Sequence, residues 1–192
     1  MKALPLAFAL VFVIATAAAA DVLPNVYCSV TGDLNGTVLI APGPLAGTTL
    51  TVSVRNAQNV PIPNAIVQIW FDQQIRLCAG GPPYAVTDAQ GICQLQLRGG
   101  GCVTSTLPVC GVTANGVEIR VYMRVRSPDN GAHDHSAPDG TVGTVDLPFF
   151  AEEFKGVVPA GCHDYDGSGG CDTGDLPFFG DAFKTAMHCT LQ

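Results

Sequence analysis

The stretch DYDGSGGCDTGDLPFFGDAFK (164–184) decides how the carboxyl-terminal third of this chain is read. Its first twelve residues set oxygen donors at alternating positions: Asp164 at 1, Asp166 at 3 and Ser168 at 5. Gly169 falls at 6, where such a ring must bend sharply. Gly170 offers its backbone carbonyl at 7, Asp172 acts at 9 directly or through water, and Asp175 closes the shell at 12. Calcium takes about six to eight oxygen ligands in flexible geometry, and a tight loop with this alternation converges them on one centre. Without an ion, so many carboxylates in so short a span repel one another. An ordinary acidic turn accounts for the acids but not for their spacing or for the glycine at the bend. The expected ion is Ca2+.

The phrase after the loop reads as the start of a short amphipathic helix. Leu176, Phe179 and Phe183 stand at i, i+3 and i+7, which places them on one face. Pro177 falls in the first turn, where a missing N–H does no harm. The same phrase occurs earlier: DLPFFAEEFK (146–155) and DLPFFGDAFK (175–184) agree at seven of ten positions, 29 residues apart. Two helices this short do not persist alone in water, so the reading has them bury their Phe faces against each other.

Residues 1–20 have a basic start, an apolar middle and an Ala-rich exit, the pattern of an export signal cleaved after Ala20. No second apolar run approaches that length, so no membrane span is expected in the mature chain, and the expected location is extracellular or at the cell surface. Eight cysteines in an exported chain point to disulfides. Charge divides the chain near residue 127. From Asp21 to Arg126 there are six Arg and five acids; from Ser127 onward there are eleven acids and two Lys. A segment that acidic disfavours nucleic acid and suits hard cations.

The segment 21–126 reads as strands. TTLTVSVRN (48–56), AIVQIWF (65–71), ICQLQL (92–97) and VEIRVYMRV (117–125) alternate apolar and polar residues. Turn chemistry separates them at 59–64, at 88–91 and at Asn115-Gly116, a hairpin signal because both residues tolerate positive φ. Short strands with such turns indicate an antiparallel sandwich. Trp70 is expected to fill the core, on the base rate for strand aromatics.

Two family resemblances follow from these residues. NAQNVPIPNAIVQIWF and TDAQGICQLQL resemble bacterial immunoglobulin-like and related prealbumin-like modules of surface proteins. The doubled loop-helix phrase resembles a dockerin or dockerin-like, EF-hand-type domain over roughly 129–192. The fold expected is therefore mainly β, an immunoglobulin-like antiparallel sandwich (21–126) followed by a small α-helical dockerin-like pair (127–192). Of the two repeats, the second matches the family. In the first, counting back from Asp146 leaves Asp139 at 5, Gly140 at 6 and Val142 at 8, but puts His135, Ala137 and Gly143 at positions 1, 3 and 9. Asp139 and Asp146 are thus a degenerate ligand set, expected weak, distorted or empty. SPDNGAHDHSAPDG upstream reads as a loop opened by an insertion, from which Asp129 or Asp134 is near enough to reach inward.

Cys171 replaces the usual aliphatic residue at position 8 and reads as a small buried hydrophobe. Cys162 and Cys189 bracket the second repeat and are expected to pair. The other five lie in the sandwich; Cys93 is then left over, or bonds Cys171. His133 and His135 lack a third ligand nearby and are read as solvated. No serine sits in a strand-to-helix elbow, no paired carboxylates gather in the sandwich, and no Lys-Ser/Thr follows the Gly-rich turns. A non-catalytic role is expected. The readings carried forward are an adaptor docking on a cohesin-like protein partner, a self-associating fibre or surface-layer subunit, and a carbohydrate-binding module. The last needs an aromatic platform that the sequence alone does not locate.

Overall fold

The computed structural model describes residues 27–80, 83–130 and 137–192. The export signal expected at 1–20 and the His133-Asp134-His135 segment lie outside the described residues. The fold is mainly β, with antiparallel sheets packed face to face and two helices near the carboxyl end.

One sheet is formed by β1 (Ser29–Thr31), β3 (Thr49–Ser53) and β7 (Ile92–Gln96), in the order β1-β3-β7. The facing sheet contains β4 (Ile66–Phe71), β6 (Tyr84–Val86), β10 (Cys110–Ala114) and β11 (Val117–Tyr122), ordered β11-β10-β4-β6. The alternation seen in the sequence sets the inward faces. Leu50 and Val52 of β3, Val67 and Ile69 of β4, Cys93 and Leu95 of β7 and Val112 of β10 share one buried cluster. Asn115 and Gly116 adopt φ of 48° and 81° and join β10 to β11, the mirror-image turn that suits strand twist.

The run 117–125 does not form one strand. It breaks at Met123, after which β12 (Arg124–Arg126) joins a different sheet, parallel to β2 (Thr37–Leu39) and antiparallel to β9 (Val103–Thr104). A register shift at Val112/Thr113 precedes this change of sheet. A short pair, β5 (Arg76–Leu77) with β8 (Gly99–Gly100), completes the strands. Trp70 does not fill the core. It sits at an outward position of β4 and is 39% exposed, because the inward slots of that strand belong to Val67 and Ile69.

Helices α1 (Leu147–Phe154) and α2 (Leu176–Lys184) coincide with the two copies of the repeated phrase. Phe150 of α1 stacks on Phe179 of α2 with ring centroids 4.5 Å apart and planes 11° from parallel. Tyr165 and His163 complete the aromatic group around Phe150. The buried face of α2 is Phe179 and Ala182. Leu176, expected on that face, lies in the first turn and is 42% exposed, since the helix contact is centred on the second turn.

The second cluster is not made by the tail alone. Leu39, Ala41 and Leu45 pack with Phe150, Tyr165, Phe179 and Met187. The covalent links also run from sandwich to tail: Cys78 bonds Cys189 and Cys102 bonds Cys162. The expected Cys162–Cys189 bridge is therefore corrected. Each of these cysteines meets a sandwich partner because the tail lies along the β5–β8 end, where Ala79 N–H donates to Thr190 O and Gln192 N–H to Leu77 O. Cys28, Cys93, Cys110 and Cys171 are free thiols, so no Cys93–Cys171 bond forms.

Candidate metal centre

The loop 164–175 is built from short local hydrogen bonds that turn carboxylates inward. Both Asp164 carboxylate oxygens accept from Gly169 N–H, at 3.3 and 3.2 Å. Gly169 has φ of 103°, a conformation that favours glycine, at the bend the spacing assigns to it. Asp166 Oδ1 accepts from Ser168 N–H at 2.9 Å. Asp175 holds three backbone donors: Oδ1 takes Tyr165 N–H at 2.6 Å and Asp166 N–H at 3.2 Å, and Oδ2 takes Asp172 N–H at 2.9 Å. Asp175 stands at the N-cap of α2 yet makes no capping hydrogen bond, because its carboxylate is spent on the loop.

Asp164, Asp166 and Asp175 each bring one carboxylate oxygen within 4.8 Å of the others. Asp164 and Asp175 are buried. The remaining expected ligands lie differently. Asp172 is exposed, with Oδ1 accepting from Gly174 N–H at 2.7 Å. Ser168 Oγ donates to the Gly170 carbonyl at 3.3 Å, so the oxygens of positions 5 and 7 engage each other.

Electrostatics make this convergence costly. Burial raises the Asp175 pKa, and the neighbouring Asp166 charge adds to it, against the N–H bonds from Asp172, Asp166 and Tyr165. Among the described residues, the cation paired with the cluster is Arg124 of β12, whose Nη1 lies 3.9 Å from Asp164 Oδ2. The three donors that converge are carboxylate oxygens, and such a set favours hard divalent cations over soft ones. The residues present fit calcium on that ground.

The first loop repeats part of this pattern with a substituted member. Asp146 Oδ2 accepts from Gly143 N–H at 2.8 Å, as Asp175 does from Asp172, and Asp139 Oδ1 accepts from Thr141 N–H at 2.8 Å. The carboxylate on the position-6 N–H is Asp129, whose Oδ2 lies 2.9 Å from Gly140 N and whose Oδ1 lies 3.2 Å from Asp139 N. Asp129 thus takes the place that Asp164 holds in the second loop, across the insertion. Burial and the nearby Asp146 charge raise its pKa to about 7. Counting back from Asp146 put His135 at that position, whereas the described carboxylate on the Gly140 N–H is that of Asp129.

Both loops are seated on the sandwich. A Cβ at Gly167 would lie 2.7 Å from Leu34 O and 3.0 Å from Thr37 Oγ1, and Asn35 Nδ2 donates to Asp166 O at 2.7 Å. Asp129 O accepts from Gly101 N–H at 2.7 Å, and its side chain lies against Gly100 of β8. Between the loops, the buried Glu153 carboxylate accepts N–H bonds from Gly161, Cys162 and His163 and meets His163 Nδ1 at 3.0 Å. Burial pushes Glu153 up. The His163 hydrogen bond and charge, with the backbone donors, outweigh it and hold its pKa at about 2. Neither Arg124, Asn35 nor Glu153 carries a sequence signal for this role; each reaches the loops only through the packed fold. No family model matches this sequence, and no curated protein matches it either.

Proposed function

We propose that this chain is a secreted, non-catalytic, calcium-stabilised interaction protein whose dockerin-like tail docks onto a protein partner. The observation that carries the reading is the convergence of Asp164, Asp166 and Asp175 in one glycine-bent loop. Asp164, Asp166 and Asp175 would hold the ion; Ser168 Oγ, the Gly170 carbonyl and Asp172 are the further oxygens within the loop. The bound ion supplies charge compensation for buried carboxylates and no reactive step.

The loop-helix pair also supports the docking role. Val145, Leu147 and Leu176 stand exposed beside the helix starts, at 70%, 42% and 42% of their full surface. Exposed apolar groups on a calcium-ordered scaffold suit a partner surface that forms only when the ion is present. The proposed location outside the cell accords with two disulfides and with the finding that no helix among the described residues is long and apolar enough to cross a membrane.

The test has two arms. Calorimetry on the chelator-stripped chain should show saturable calcium uptake that Asp164→Ala and Asp175→Ala abolish. Capture of proteins from the producing cells' secretome should then require calcium and be lost on Leu147→Asp with Leu176→Asp. Absence of calcium uptake overturns the reading. Uptake combined with calcium-independent capture removes the docking role and leaves a purely structural ion.

A further inference from the structure

We propose that the solvent face of the β11-β10-β4-β6 sheet binds a neutral oligosaccharide, with Trp70 as its stacking surface. Trp70 is the only tryptophan of the chain. It stands opposite Gly111 in the β4–β10 register. A Cβ at Gly111 would lie 2.5, 2.7 and 2.8 Å from Nε1, Cε2 and Cζ2 of the indole, so that edge of the ring lies against bare backbone. The indole is seated on the strand while 39% of the residue stays exposed.

Beside this pair runs a polar row in direct register. Glu118 of β11 faces Thr113 of β10, Thr113 faces Gln68 of β4, and Gln68 faces Tyr84 of β6. Three inter-strand spacings make the row about 14 Å long. Its end groups are a carboxylate, a hydroxyl, an amide and a phenol, which together offer both donors and acceptors. Tyr84, 60% exposed, turns the corner of the edge strand and also lines a cleft of about 340 Å³ whose walls include Gln94, Gln96 and Arg98.

An aromatic laid on a strand glycine stabilises the strand, which accounts for Trp70 on Gly111. It does not account for a row of hydrogen-bonding groups beside the ring. Thr113 Oγ1 donates to Gln68 O at 3.5 Å within the sheet, but an apolar partner seated here would strand the Glu118, Gln68 and Tyr84 end groups, at a cost for each. A saccharide satisfies both features, since its C–H face covers the indole while its hydroxyls exchange hydrogen bonds with the row. Glu118 is the single charge in the row, which suits a neutral ligand. Paired strands hold all five side chains, with the register shift at Val112/Thr113 beside the Thr113–Glu118 end of the row, so the platform is preorganised.

The test uses the full disulfide-bonded chain with calcium present. Trp70 fluorescence is titrated with cellohexaose, xylohexaose, chitohexaose and laminarihexaose at up to millimolar concentration, and calorimetry checks each response. At least one sugar should give a saturable change. Trp70→Ala should weaken that binding by about tenfold or more, as loss of a stacked aromatic does, while Trp70→Phe retains most of it. Gln68→Ala, at an exposed position, should weaken it without disturbing the fold, and it serves if Trp70→Ala fails to fold. No saturable change with any of the four sugars overturns the proposal. So does binding that survives Gln68→Ala and Trp70→Ala alike, or a fluorescence change that follows protein concentration instead of sugar, which would mark the exposed Ile66 and Val86, paired across β4 and β6, as a contact between copies. The outcome is independent of calcium uptake, so it can fail or stand apart from the docking role.

Discussion

Replacing Asp175 by Asn tests the proposed metal centre at its most buried member. Asp175 is fully buried and accepts three backbone N–H bonds through two oxygens. Asn keeps one acceptor and turns an amide NH2 toward a donor, so the chelator-treated variant should lose about 1–3 kcal/mol. The more telling quantity is the calcium increment. For the unaltered chain, calcium at about a hundredfold excess over its Kd should add about 2.7 kcal/mol by mass action. In a chain of this size each kcal/mol moves Tm by about 2–4 °C, so the rise should be about 5–10 °C. Asp175→Asn removes one of three converging carboxylates, and its increment at the same calcium concentration should fall below about 1 kcal/mol. Differential scanning calorimetry with disulfides intact, in chelator and in calcium, measures all four states, and magnesium serves as the control for ionic strength. Equal calcium increments in the two proteins, or none in either, would refute the reasoning.

Three other perturbations probe what surrounds the centre. Glu153 has its folded pKa depressed from 4.5 to about 2, so its contribution is present above pH 4.5 and is lost as pH falls toward 2. The amount is about 3 kcal/mol, and urea unfolding of Glu153→Gln against the unaltered chain should show a gap that closes over that window. Removing the Cys78–Cys189 bond by double Ala substitution frees a loop that, with Cys102–Cys162 still closed, spans about 50 residues. Chain entropy then predicts a loss of about 4 kcal/mol, read as a lower denaturant midpoint. Gly167→Ala, at φ of 68° and with its new Cβ 2.7 Å from Leu34 O, should unseat the loop from the β1–β2 turn. Amide exchange should then rise in both 34–37 and 164–169; unchanged protection at 34–37 would count against the seating.

Much of this architecture was legible in residue order because its signals are local. Alternation in 48–56, 65–71 and 92–97 reports which side of a pleat each residue faces, and the observed strands fall inside those runs. Asn115-Gly116 carries its turn in its own backbone preferences. The repeated DLPFF phrase opens both helices because its proline suits a first turn, while its Asp carboxylate serves the preceding loop. The convergence of Asp164, Asp166 and Asp175 was equally readable, since ring geometry over twelve residues depends on few neighbours outside it.

Other features required the chain to return on itself. The disulfides join residues 111 and 60 positions apart, and no spacing rule selects those partners from the possible pairings. Residue order offered both Asp129 and Asp134 for the first loop, and only the folded chain shows Asp129 on the N–H groups of Asp139 and Gly140. The outward slot of Trp70 follows from the alternation of β4, but its seat over Gly111, forty-one residues away, is set only by the pairing of β4 with β10. Periodicity and turn chemistry act through bonds between near neighbours, so they are written where they operate. Cross-links, seats and platforms arise from contacts whose two halves are independent stretches of sequence, and only packing brings those halves together.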